Sequence, residues 1–319
     1  MTTAASATAD RVARGIGLYV LAILLLASMD AVIKWLSSDY STQQIVFFRA
    51  VFGLIPLMTI LAVRRAFRDL RTRRLGGQIG RGLLSACAAI CFFYAFGQMP
   101  LADAYAIAFA SPLFVTALSV PILGERVGVH RWGAVAVGFI GILVVLRPGQ
   151  TGLDQFLTLG ALAALMGTFF FSLSVVLIRR MTRTETNAAL VFYAALVTIV
   201  VSGAALPFGF AWPNAVDFGL LALVGFLGGM GMILVTDAFR SAPVAVLAPF
   251  EYTAMIWAVV YGYSIWGDLP DGWVLGGAAI LVGSGLYILH RETRRHTDRV
   301  GAERLAMAPV SQTGEKDED

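Results

Sequence analysis

Four ionisable residues stand inside stretches that are otherwise apolar: Asp30, Lys34, Arg49 and Glu251. A charged side chain in the middle of a bilayer costs roughly 3 kcal/mol even on lenient insertion scales, so such residues face protein or water. Asp30 and Lys34 are four apart and share one helix face. Lys34 and Arg49 flank the same connection, which puts them at similar depth with Asp30 about one turn deeper. Two cations there would meet the carboxylate or phosphate of a ligand at the outer mouth of a cavity. The other reading is an ion pair or triad that holds helices together, with Lys34 reaching to the headgroups.

Glu251 lies in the run APFEY, with Phe250, Tyr252 and Trp257 around it. Pro249 removes a backbone donor and can bend the helix. A carboxylate beside such a break could bind a cationic group, take up a coupling proton, or simply bond a neighbouring helix. Gln98, Ser111 and Tyr105 are further polar groups that a cavity could use. Tyr94, Phe109, Phe114, Trp257 and Tyr261 could stack on a planar ligand or face lipid. Asp237 and Arg240, three apart, read as a local pair, and Asp103 as a first-turn acid favoured by the helix dipole.

These residues must be carried by membrane-spanning helices. The chain is 58% hydrophobic and 14% charged, against about 25% charged in soluble domains, and its mean hydropathy is +0.77. The apolar residues come in blocks close to the roughly 20 needed to cross a bilayer. Backbone polar groups cannot stay unpaired in lipid, and the blocks lack the alternation of barrel strands, so they are helices. Ten spans are expected, at 15–37, 44–63, 80–98, 103–123, 132–147, 156–178, 188–206, 217–239, 244–266 and 272–290. The first block is too long for the apolar core of a cleaved signal peptide. Residues 291–319 read as a polar, disordered tail, and 1–14 as a short N-terminal segment. Trp35, Trp132, Trp266 and Trp273 fall near span ends, as an interfacial belt would.

Ten spans leave 21 of the 24 Lys and Arg residues on the side that holds both termini. Basic connections mark the cytoplasmic face, so both termini are expected in the cytoplasm, with the protein in the inner (plasma) membrane. The formal charge of +4 is thus a topology signal and no nucleic-acid footprint. Cys87 and Cys91 share a helix face and cannot close a disulfide there. No histidine or cysteine spacing suggests a metal, and no cofactor is indicated.

The ten spans divide as five plus five near Pro148 to Gln155. Because five is odd, the second half enters the membrane in the opposite sense. At an offset of 143 residues Pro100 falls on Pro243, and Gly124-Glu125 on Gly267-Asp268. Inverted repeats of this kind belong to transporters. Small residues at spacing four, namely Gly225 and Gly229, Ala134 and Gly138, and Ala279 and Gly283, would let helices approach closely.

With Lys34, FFRAVFGLIPL from Phe47, MPLADAYAIAFASPLFVTALSVPILGERV from Met99, LRPG from Leu146 and APFEYTAMIWAVVYGYSIWGD from Ala248, the chain resembles the EamA family of the drug/metabolite transporter superfamily over residues 15–290. The resemblance implies an all-α integral membrane fold, two five-helix halves (15–147 and 156–290) around a central cavity, and alternating access. It implies a small-molecule cargo such as an amino acid, a vitamin or a nucleoside-like cofactor, in either direction. The halves differ in one respect: Pro249 lies 19 residues before Asp268, whereas Pro112 lies 13 before Glu125.

A secondary transporter driven by proton coupling or exchange is the leading reading, since no nucleotide-binding GxxxxGK[ST] run is present. A membrane-embedded enzyme would need convergent catalytic groups, and neither HExxH nor GxSxG occurs. A sensor or scaffold would need a domain that passes a signal on. The oligomeric state does not follow from the sequence.

Overall fold

The computed structural model describes residues 2–124, 127–146, 158–181 and 185–306. The described residues form helices and connecting turns. Helix α1 covers Thr2–Leu36, α2 Thr42–Val63, α3 Leu75–Gln98, α4 Leu101–Ala108, α5 Ser111–Leu123 and α6 Val129–Leu146. The second half has α7 Leu159–Met181, α8 Asn187–Ala205, α9 Ala215–Ser241, α10 Val244–Glu251, α11 Thr253–Tyr261 and α12 Gly272–Ala306. Among the described residues nine helical stretches are long and apolar enough to cross a membrane, with α4 and α5 together as Leu101–Leu123. The tenth apolar stretch, 244–266, is divided into α10, α11 and a π-turn over Gly262–Trp266.

Two expected spans are therefore not continuous. The one at 103–123 breaks after Ala108 because Pro112 has no N–H to give the Ala108 carbonyl and its ring crowds that turn; α5 restarts with the proline in its first turn. The one at 244–266 runs through Pro249 and breaks three residues later, at Tyr252. There the Thr253 hydroxyl donates to the Phe250 carbonyl at 2.6 Å, a side-chain bond that competes with the backbone ladder.

Helix α12 also continues to Ala306, through half of the segment expected as disordered tail. Its residues Arg291 to Ala306 are rich in Arg, Glu and Ala, which are good helix formers. Residues 307–319 lie outside the described residues, as do Glu125, Arg147 and the connection near Pro148 to Gln155.

The two halves pack through matched pairs of helices: α1 on α9 and α3 on α7, α2 on α8, and α6 on α12. Several crossings need glycine. A Cβ on Gly229 would come within 2.8 Å of the Gly53 carbonyl oxygen, and one on Gly277 within 2.8 Å of the Gly141 oxygen. The Gly225–Gly229 pair thus seats α9 on α2 as its spacing suggests. Gly283 instead faces open space, so Gly141 and Gly277, not Ala279 and Gly283, bring α6 and α12 together.

Connections tie the halves at both ends of the bundle. At one end the Gln44 amide donates to the Ala211 carbonyl at 2.7 Å and accepts from the Ala211 N–H at 3.0 Å. The Tyr40 hydroxyl there donates to Asp217 at 2.7 Å. At the other end Glu185 accepts from the Arg73 N–H at 3.1 Å and from the Gln78 amide at 3.2 Å. The Thr72 side chain, then these two donors and nearby Arg74, hold the Glu185 carboxyl below its ordinary range.

Candidate functional site

The core is built as three apolar clusters, and Tyr105 on α4 packs against all of them. Its position explains its role. The Tyr105 hydroxyl donates to Asp30 Oδ2 on α1 at 2.5 Å, so this buried acid is held by a neutral donor. Asp30 itself is only 8% exposed.

Arg49 enters the same region from α2. Its guanidinium stands 5.5 Å from the centre of the Phe93 ring on α3, within cation–π range. Gly228 on α9 lies beside it: a Cβ there would be in ordinary contact with Arg49 Nε at 3.5 Å and would crowd Met29 Sδ at 2.9 Å. Arg49 Nε is buried and has no hydrogen-bond partner within the protein. A guanidinium presents five donors in a fork matched to carboxylate and phosphate, and a buried donor left open is costly. Asp30 is near enough for the two charges to act on each other, while Arg49 Nε itself stays without a protein acceptor.

Of the expected grouping, Asp30 and Arg49 come near one another, whereas Lys34 does not join them. Lys34 is one turn nearer the end of α1, and its long stem carries the ammonium away from Asp30. Lys34 Nζ pairs with Asp268 Oδ2 at 2.8 Å, donates to the Met99 carbonyl at 3.2 Å and lies 4.7 Å from the centre of the Trp266 ring. Trp266 accordingly packs within the protein against the first cluster, whereas Trp35, Trp132 and Trp273 are exposed in the manner of a belt. Six residues deeper on α1, Ser28 Oγ and the Tyr261 hydroxyl share a hydrogen bond of 2.7 Å.

Glu251 closes α10. It keeps more than a third of its surface open although protein surrounds it on nearly every side. Tyr19 and Tyr252 are near enough for its charge to act on them, and Trp257 packs on the cluster that contains Tyr19. Tyr252 meets Phe109 edge to face, ring centroids 5.0 Å apart.

The other expected residues are more peripheral. Ser111 opens α5, and its carbonyl accepts from the Ser172 hydroxyl at 3.2 Å. Tyr94 is half-buried on α3, and Gln98 is exposed at that helix's end, beside Gly160. Asp237 and Arg240 form an exposed pair at 3.4 Å. Asp268 was legible only as the repeat partner of Glu125, and Tyr105 only as one of several polar candidates; opposite charge to Lys34 was the available signal for the former. Among the described residues no group of three His, Cys, Asp or Glu side chains could hold a metal ion.

The break positions repeat. Helices α4 and α10 each have eight residues, begin after Pro100 and Pro243, and lie 143 residues apart at both ends. Gly124 and Gly267, at the same offset, both adopt left-handed backbone, with φ of 68° and 74°. The profile of the EamA-like transporter family matches residues 13–147 and again residues 158–289. The chain belongs to this family. It is a multi-pass membrane transporter with two repeated halves.

Relatives of the EamA type extend the likeness over nearly the whole chain. An S-adenosylmethionine uptake transporter of Rickettsia bellii is 27% identical over 90% of this chain and 97% of its own length. The pseudopaline exporter CntI of Pseudomonas aeruginosa is 28% identical over 86% and 95%. A riboflavin transporter of Rhizobium johnstonii is 28% identical over 86% and 91%. A solved crystal structure superposes with a TM-score of 0.62 at 19% identity, covering 88% of this chain and 98% of that one, which supports the fold alone.

Proposed function

We propose that this EamA protein is a secondary transporter that carries a small metabolite with an anionic group and a planar ring across the inner membrane by alternating access. Arg49 takes the carboxylate or phosphate. Asp30, held by Tyr105, keeps the guanidinium in place. Phe109 and Tyr252 offer ring faces, and Glu251 receives a cationic group of the cargo or a coupling proton. The two halves are inverted relative to one another, and both termini are cytoplasmic. The protein is not an enzyme. The single observation that carries this reading is the buried Arg49 Nε without a protein partner, next to an acid already occupied by Tyr105. The names of the relatives support it: S-adenosylmethionine and riboflavin both carry fused heterocyclic rings, and one relative is named for uptake and another for export.

The test is thermal stabilisation of the purified protein in detergent against amino acids, riboflavin, S-adenosylmethionine, nucleosides and organic acids. A ligand that binds only the native state raises the melting temperature with its occupancy. The expected result is a stabilising ring-bearing anion whose effect disappears in Arg49→Gln, followed by uptake of that compound into proteoliposomes. Equal stabilisation of wild type and Arg49→Gln by every binder would overturn the assignment of Arg49.

A further inference from the structure

We propose that Lys34 and Asp268 form the latch that closes the transport path on the face opposite the termini. The proposal rests on the transporter reading in one respect: only a transporter needs that face to open.

The contacts of Lys34 join three separate elements. Its ammonium belongs to the last turn of α1. The Met99 carbonyl that it reaches at 3.2 Å is the link between α3 and α4. Asp268 and Trp266, at 2.8 Å and 4.7 Å, come from the turn that ends the broken span of the second half. One side chain therefore pins both halves of the repeat at one end of the bundle. Its side chain is 12% exposed and that of Asp268 is 32% exposed. This partial burial leaves the pair less screened by salt than a surface bridge, yet gives it a wet edge from which it can exchange partners.

The turn that carries Asp268 is shaped for the purpose. It consists of a π-turn, Gly262–Trp266, followed by Gly267 at φ 74°. π-Turns are rare and cluster at functional positions. The Asp268 N–H donates to the Gly262 carbonyl at 3.1 Å, which folds the turn back on itself. A Cβ on Gly262 would come within 3.4 Å of the Asp268 carbonyl oxygen. Below the latch, the Ser28–Tyr261 bond of 2.7 Å closes the same seam between α1 and α11. Ser28 lies about 9 Å deeper than Lys34 at 1.5 Å per residue. Opening this face thus means parting α1 from α11 with Lys34 and Asp268 separating first.

Cysteine labelling tests this without any substrate. Ser28→Cys is placed in a Cys87→Ser, Cys91→Ser background and treated with a membrane-impermeant thiosulfonate in vesicles of each orientation. With the latch intact, labelling from the face opposite the termini is slow. Lys34→Ala or Asp268→Asn speeds it at least about tenfold by shifting the population toward the open state. The exchanged pair Lys34→Asp with Asp268→Lys slows it again, and Lys34→Arg keeps it slow, which provides a folded variant that retains the charge. Unchanged labelling in both single variants overturns the latch, as does acceleration confined to the face that bears the termini. In the first case uptake can still be normal, so loss of the latch and loss of the transporter reading give different results.

Discussion

Phe109 and Tyr252 stand 143 residues apart, cap the equivalent short helices α4 and α10, and meet edge to face with ring centroids 5.0 Å apart. Both helix breaks therefore converge on one point between the halves. An edge-to-face pair contributes about 1 kcal/mol beyond its buried area. Phe109→Ala, Tyr252→Ala and the double variant, compared by unfolding, are expected to show a coupling of that size. Additive losses would mean that the rings are neighbours without an interaction of their own.

Tyr105→Phe removes the hydroxyl that serves Asp30 at 2.5 Å and changes little else in volume. Asp30 then turns to Arg49 for its partner, and the cation is no longer open to a ligand. Uptake is expected to fall at least about tenfold, equivalent to about 1.4 kcal/mol. Membrane insertion, followed by fluorescence-detected gel filtration, should be unaffected.

Arg49→Gln and Glu251→Gln are each expected to abolish uptake while the protein still inserts. Gly228→Ala separates charge from position. The added methyl would sit 2.9 Å from Met29 Sδ and at ordinary contact distance, 3.5 Å, from Arg49 Nε, so it crowds Met29 beside the guanidinium without removing the charge. Weakened ligand binding with normal expression is the expected outcome, read as a smaller thermal shift. Normal uptake in all three variants would show these intramembrane charges to be structural.

Glu185 gives the fold a pH dependence outside the spans. Bonds from Thr72, the Arg73 N–H and Gln78 hold its carboxyl below the unfolded value, which is about 4.3 for glutamate. Its stabilising contribution is then complete above that pH and is lost as pH falls through the lower, folded value. The melting temperature should decline through this acidic window, and Glu185→Gln should flatten that part of the curve. A curve identical to wild type would show that the tie between residues 72–78 and 185 does not matter to stability.

Gly277→Val is expected to be severe. Its Cβ would come within 2.8 Å of the Gly141 carbonyl oxygen and 2.9 Å of the Val145 nitrogen. Backbone cannot yield as a side-chain tip can, so α6 and α12 must separate. Overpacking typically costs about 1–3 kcal/mol, and a lower melting temperature with partial aggregation should follow. Gly283→Val, at an open position, should be tolerated.

Much of this architecture was legible because hydropathy reports membrane crossing directly. The observed helices agree with the expected spans within a few residues at most ends, and the offset between Pro100 and Pro243 foretold matched helix starts. Where each break would fall was less readable. Pro112 marks one, but Pro249 lies inside α10 and the break follows at Tyr252, where a Thr253 side-chain bond decides it. The charges were legible, and so was the nearness of Asp30 and Arg49, but the partner of Lys34 was not. Spacing along α1 put Asp30 and Lys34 on one face, yet helical spacing cannot say how far a lysine stem reaches, nor which turn 234 residues later presents an acid to it. Tyr105 was similarly hidden, because its importance comes from three clusters meeting around it.

The arrangement of Asp30 and Arg49 also bears on how the chain is made. Gly228, which lies beside the guanidinium, belongs to α9 and emerges from the ribosome long after α2 has entered the lipid. At that moment the internal acid within reach of Arg49 is Asp30 on α1, already in place. The first two helices can enter the bilayer as a hairpin with opposite internal charges, sparing Arg49 a wait as an isolated ion. Tyr105 follows with α4 and gives Asp30 a hydrogen bond. The same acid thus serves first as an escort for insertion and later as a buried acceptor between α1 and α4.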